Sequence, residues 1–146
     1  AMTDAAIADM QQQEIAILAS SQGFESKLTS LLTVEPKLFG KINDWVIDDM
    51  RRHKPEEWEK VERYRHSHVH QLREFIAEGI RHGKLRSVNA AVAAHMVLGA
   101  CTEMLEYPFL KENNLTITDA LHALTDIFLH GVLNAGDVLR KNDSCV

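Results

Sequence analysis

Cysteine, proline, basic charge and long apolar runs are all scarce in this chain, and each scarcity excludes a class of protein. Cys101 and Cys145 are the two cysteines among 146 residues. Without paired spacing they spell neither a disulfide framework nor a zinc site, so a reducing cytoplasm is the expected location. The longest strongly apolar stretch, Ala90 to Cys101, is too short to cross a bilayer and carries His95, so no membrane association is expected. The formal charge is −5, whereas a surface that neutralises phosphates needs clustered Lys and Arg. Two short basic runs do occur, Met50-Arg51-Arg52-His53-Lys54 and Arg81-His82-Gly83-Lys84-Leu85-Arg86. Both fall where helix C-termini are expected, and cations there complement the helix dipole. The opening Ala1-Met2-Thr3-Asp4 has no basic leader or apolar signal core, and Ala1 before Met2 reads as a cloning remnant.

Strand-like alternation and hairpin turn dipeptides are nearly missing as well, which points to an all-α class. Hydrophobic residues at 45% and charged residues at 25% are ordinary for a globular protein, so disorder is not expected. The length suits one domain, 1–146, able to hide roughly 70% of the surface its unfolded chain exposes. The periodicity predicts about six helices in an antiparallel bundle: Thr3–Ser20, Ser26–Thr33, Pro36–His53, Pro55–His82, Val88–Tyr107 and Ile117–Asn134. Pro36 and Pro55 suit the first position of a new helix, and Pro108 ends one. Gly23, Gly83 and Gly136 stand where a C′ glycine belongs. Thr116-Ile117-Thr118-Asp119 resembles a capping box with Asp in the place of Glu.

Eight histidines attract attention first. In the helix from Pro55, a turn of 100° per residue puts Val61, Tyr64, His68, Leu72, Phe75, Ile76 and Gly79 in one sector, the expected buried face. His68 lies near its centre and needs a hydrogen-bond partner from protein, water or ligand. Glu62, His66, His70 and Glu74 follow one another at intervals of four around the other side. That spacing lets two imidazoles share a metal, but His70 lies almost opposite the apolar sector, where a solvated stripe is the simpler reading. His122, Asp126 and His130 form a second row of the same kind. No Gly-rich phosphate loop, nucleophile elbow, H-E-x-x-H or E-x-x-H is present. His53/Glu57 and His70/Glu74 echo di-iron spacing only faintly, so neither an enzyme nor a cofactor is expected.

The stretch "VNAAVAAHMVLGACTEMLEY" is apolar on nearly all sides over its first fourteen residues, and its Ala and Gly residues permit close helix approach. Such a helix must be enclosed, and a second subunit is a natural source of cover. The last helix carries Leu121, Leu124, Ile127, Phe128 and Gly131 on one face.

With these elements in order, "LREFIAEGIRHGKLRSVNAAVAAHMVLGACTEML" resembles the C-terminal ligand-binding and dimerisation domain of the tetracycline-repressor (TetR) family of transcriptional regulators. The long helix closes on a glycine-containing turn, Gly79 to Arg86, and a small-residue helix with a mid-helix glycine follows. "ALTDIFLHGVL" is similar to the family's closing helix, with Leu129-His130-Gly131-Val132-Leu133 as its apolar-Gly-apolar end. The family's basic helix-turn-helix has no counterpart in residues 1–25, which read better as the helix connecting the two domains. Either the chain was cut after a DNA-binding domain or the natural chain lacks one, and the leading Ala1 favours cutting.

The resemblance implies a homodimeric sensor in which a small molecule bound inside the bundle moves the connecting helix and alters DNA binding by the absent domain. It also implies that the last two helices pair with their counterparts. Carried onto this sequence, that interface is Ala94, Leu98, Cys101, Leu105, Leu121, Leu124, Phe128 and Val132. The expected pocket for an apolar or aromatic effector is Trp45, Met50, Trp58, Tyr64, His68, Phe75 and Met96. Two other classes stay open: a metal-binding helical protein using the His/Glu rows, and a free-standing helical interaction module.

Overall fold

Pro55 opens the longest helix, as its fixed φ and missing N–H suit the first helical turn. In a computed structural model of the chain, the described residues are 2–39, 44–104 and 107–132, with side chains described for all of them except 2, 35–39, 44, 45 and 107. Seven helices and no strand occur among the described residues: α1 (Met2–Ala19), α2 (Phe24–Phe39), α3 (Asp44–His53), α4 (Pro55–Arg81), α5 (Ala90–Met104), α6 (Tyr107–Glu112) and α7 (Ile117–Val132). The class is all-α, as the sequence predicts.

Two of the expected boundaries move. The predicted break before Pro36 is absent, because α2 continues through that position to Phe39. Pro36 cannot donate to the Leu32 carbonyl, yet Leu28, Leu31, Leu32 and Val34 of the same helix are buried, and this packing outweighs the lost bond. Pro108 does not simply stop a helix either; it lies in the first turn of the short α6, where proline is well tolerated. The junction of α3 and α4 is tight: Lys54 N–H donates to the Met50 carbonyl at 2.9 Å, and Trp58 N–H to the Lys54 carbonyl at 3.0 Å. Arg51, Arg52 and His53 occupy the last turn of α3, the dipole-complementing place expected of them. At α7 the capping box forms with Asp: Thr116 N–H donates to Asp119 Oδ2 and Asp119 N–H to Thr116 Oγ1, both at 3.1 Å.

The buried face of α4 is Val61, Tyr64, His68, Val69, Leu72, Ile76 and Gly79. Only Val69 joins the predicted sector, and Phe75 sits at its half-buried edge. Around this face α2, α5 and α7 supply Leu28, Leu31, Ala93, Ala94, Val97, Phe128 and Val132 to the main core. A smaller cluster, Met10, Val34 and Tyr64 with Ile7 and Ile17 against it, fills the seam where α1 meets α2 and α4.

The turn after α4 explains its own sequence. Gly83 takes φ +70°, a left-handed conformation that costs glycine little. Lys84 N–H then returns to the Gly79 carbonyl at 2.8 Å, and Leu85 drops into the core. Gly79 has no Cβ because the Phe24 ring occupies that space. Arg86 finishes the turn by capping α7: its N–H donates to the Val132 carbonyl at 2.9 Å and its Nε–H to the Gly131 carbonyl at 2.6 Å. The conspicuous residues of "GIRHGKLR" thus fix where the end of α4 meets the end of α7.

Candidate functional site

On α1 the residues Ile7, Met10, Glu14 and Ile17 recur at intervals of three and four, forming one stripe. That stripe faces α4, where Tyr64 and His68 stand one turn apart. Glu14 is 5% exposed, and Tyr64 and His68 are each 3% exposed. The Tyr64 hydroxyl donates to Glu14 Oε1 at 2.5 Å, and His68 Nδ1 shares the same oxygen at 2.5 Å. The phenol and imidazole rings lie stacked, 5.9 Å between centroids and 16° apart in plane.

A carboxylate in apolar surroundings is costly unless hydrogen-bonded. Here two donors converge on one oxygen, and for His68 to be one of them its Nδ1 must carry a proton. Among the described residues no hydrogen bond reaches Glu14 Oε2 or His68 Nε2. The seam therefore combines a charged acceptor and a ring nitrogen with an apolar wall.

Near the start of both helices a second polar group ties α1 to α4. Lys60 Nζ donates to Glu57 Oε1 at 2.9 Å and to Asp4 Oδ2 at 3.2 Å. The Lys60 hydrogen bond holds both carboxyl groups below their ordinary range, and the two carboxylates in turn raise the lysine. Asp119 is lowered too, first by the Thr116 backbone N–H that it accepts.

The other expected pocket residues do not gather at the seam. Trp58 is half-buried, with the Arg51 guanidinium 4.8 Å and that of Arg65 5.5 Å from its ring centroid. Met50 is half-buried on α3. Phe75 stacks on Phe24 at 4.7 Å against the main core, a packing role. The Trp45 side chain lies outside the described residues. On α5, Ala93, Ala94, Val97 and Cys101 are buried and Met96 is 57% exposed.

The residues of the expected interface differ in exposure within the single chain. Ala94, Cys101, Leu121, Phe128 and Val132 are buried within the chain's own bundle, where they have no surface left to offer a second copy. Leu98 and Leu124 are half-buried, and Leu105 lies outside the described residues. The apolar side chains that α5 and α7 do expose are Val92 at 63%, Met96 and Ile127 at 74%. A helix apolar on all sides gives no periodic signal for orientation, so the inward and outward faces of α5 were interchangeable in sequence.

The histidine rows stay apart from the seam. His66, His70 and Glu74 are exposed on α4, Glu62 is half-buried, and His122, Asp126 and His130 are exposed on α7. Among the described residues no group of three His, Cys, Asp or Glu side chains is placed to hold a metal ion. Glu14 was missed by sequence reasoning. Its signal was present, since it is the single charged residue in an otherwise apolar stripe of Ile7, Met10 and Ile17.

Comparison with known proteins gives one positive finding. Residues 44–132, more than half of the chain, match the family model described as "Tetracyclin repressor-like, C-terminal domain". No curated protein and no solved structure matches the chain.

Proposed function

Because the chain belongs to the tetracycline repressor-like C-terminal-domain family, we propose that it is the effector-sensing and dimerisation part of a one-component transcriptional regulator, acting in the cytoplasm. The family is one of regulatory domains, and no helix among the described residues is long and apolar enough to cross a membrane. The effector is a small, largely apolar or aromatic molecule received where α1 meets α4. The observation that carries this reading is the buried Glu14–Tyr64–His68 cluster, which supplies polar anchors inside an otherwise apolar seam.

The cluster joins α1 to α4, the longest helix, and on this reading α1 is the connector to a DNA-reading helix-turn-helix. A molecule bound there changes DNA binding only if it has different affinity for two arrangements of α1 against α4. The uncovered Val92, Met96 and Ile127 support a homodimer formed through the outward faces of α5 and α7. The test is a thermal-shift screen of apolar and aromatic compounds combined with light scattering. Ligand-dependent stabilisation of a dimer is the expected result; a monomer that no compound stabilises would remove this reading.

A further inference from the structure

Four of the eight histidines have Nδ1 engaged: His53 with Asp49 Oδ1 at 3.0 Å, His68 with Glu14 Oε1, and His95 and His130 with the carbonyls of Ala91 and Asp126 at 2.9 and 2.8 Å. His66 and His70 differ from these. Both are exposed on α4, and among the described residues no hydrogen bond or ion pair reaches a ring nitrogen of either. They stand one turn apart on an unbroken helix, Pro55–Arg81. Side chains four positions apart share one side of a helix, with Cβ atoms about 6 Å from each other.

Two imidazoles at this spacing can turn their lone pairs onto one ion, as the two histidines of an H-E-x-x-H helix do. No partner fixes the proton on Nδ1 or Nε2, so each neutral ring can present either nitrogen. We propose that His66 and His70 form a two-imidazole chelate for a divalent transition-metal ion, Cu²⁺, Ni²⁺ or Zn²⁺, on the outer side of α4. Imidazole suits these ions, whereas Mg²⁺ and Ca²⁺ require oxygen ligands. Glu62 and Glu74 continue the row, but each lies eight positions from the farther histidine, about 12 Å along the helix. Neither therefore joins both rings around one ion, and among the described residues no group of three such side chains is placed to do so. Water takes the remaining coordination positions. The ion bridges the turn of α4 whose opposite side carries the buried His68, so the pair is separate from the seam and the proposal does not rest on the effector-sensing reading.

The test is calorimetric titration of Cu²⁺, Ni²⁺, Zn²⁺ and Mg²⁺ into the intact chain, first treated with a chelator. His66→Ala, His70→Ala and His122→Ala are titrated beside it, three changes at exposed positions that leave the core untouched. Cu²⁺ is expected to bind more tightly than Ni²⁺ or Zn²⁺, and Mg²⁺ not to bind. Removing either His66 or His70 turns the chelate into a single imidazole contact and is expected to weaken Cu²⁺ binding roughly tenfold or more, while His122→Ala leaves it unchanged. Zn²⁺ is expected to shift the ring nitrogen-15 resonances of His66 and His70 and to raise the urea midpoint of the unaltered chain, because the ion binds the folded helix. Binding that survives both α4 substitutions, or that His122→Ala weakens equally, places the ion elsewhere and overturns the assignment. Weakening by only one of the α4 substitutions reduces the site to a lone imidazole and overturns it too. Mg²⁺ binding as tight as that of Cu²⁺ transfers the site to carboxylates, and silence from Cu²⁺ removes it. None of these outcomes bears on the small-molecule screen of the seam.

Discussion

His68 and Glu14 meet at 2.5 Å although 54 positions separate them in the chain. This contact joins the first helix to the longest one through a buried polar group, where an apolar pair would have packed without any partner requirement. Its directionality fixes the rotation of α1 on α4, because a side chain one position away on either helix points about 100° elsewhere.

Replacing Glu14 by alanine leaves the Tyr64 hydroxyl and His68 Nδ1–H buried without this acceptor. One unmet buried donor costs about 1–3 kcal/mol, so Glu14→Ala, which strips His68 Nδ1–H of its acceptor, is expected to lose about 1–3 kcal/mol in urea unfolding. The triple variant Glu14→Leu, Tyr64→Phe, His68→Phe leaves no unmet polar atom and is expected to lose less than the single one. A single-variant loss below about 0.5 kcal/mol, well under the cost of one unmet group, would show that water already reaches the cluster.

Gly79→Ala tests the close approach at the end of α4. A Cβ there meets the Phe24 ring, which cannot swing aside freely because it stacks on Phe75. Overpacking of this kind costs about 1–3 kcal/mol. Phe24→Leu in the same chain is expected to recover part of it, giving a favourable coupling energy in a double-mutant cycle. Strict additivity of the two changes would mean that the ring relaxes elsewhere.

How far these features were legible in sequence depends on whether a period existed to be read. On α4, apolar and charged residues alternate with a clear helical period, and its inward face was predicted with only Val69 missing. The capping box at Thr116 and Asp119 was readable because it depends on four consecutive residues. On α5 nearly every position is apolar or small, so the sequence offers no period to tell its buried residues, Ala94 and Cys101 among them, from exposed ones such as Met96. Pro36 misled because local propensity loses to the packing of α2. The seam was half legible: His68 announced a missing partner, but Glu14 lies far away in sequence and only folding selects it.

The Lys60 group predicts a pH dependence with a definite sign. Asp4 and Glu57 have lowered values in the folded chain, so their contribution is complete above their ordinary values of 3.8 and 4.5 and disappears as pH falls through the lowered ones. Lys60 is raised, so its contribution is complete below 10.5 and disappears as pH rises through the raised value. The stability difference between the unaltered chain and Lys60→Met is therefore expected to be flat across the neutral range and to vanish at both extremes. Because these groups are exposed the difference is small, and chemical denaturation at several pH values under low salt is the appropriate measurement. A difference that persists in strong acid would assign the effect to packing of the lysine stem.

The outward face of α5 and α7 separates assembly from folding. Met96 and Ile127 are exposed in the single chain, so Met96→Arg and Ile127→Arg cost its fold little. If a second copy covers them, each arginine places an unpaired charge inside the contact, at a cost of several kcal/mol to association. Both variants are expected to be folded monomers by light scattering and circular dichroism. Phe128→Arg serves as the contrast, because Phe128 is buried in the chain's own core and its loss is expected to unfold the domain. If the two surface variants remain dimeric, the copies meet through another face, and the exposed Ile15 of α1 becomes the next position to change.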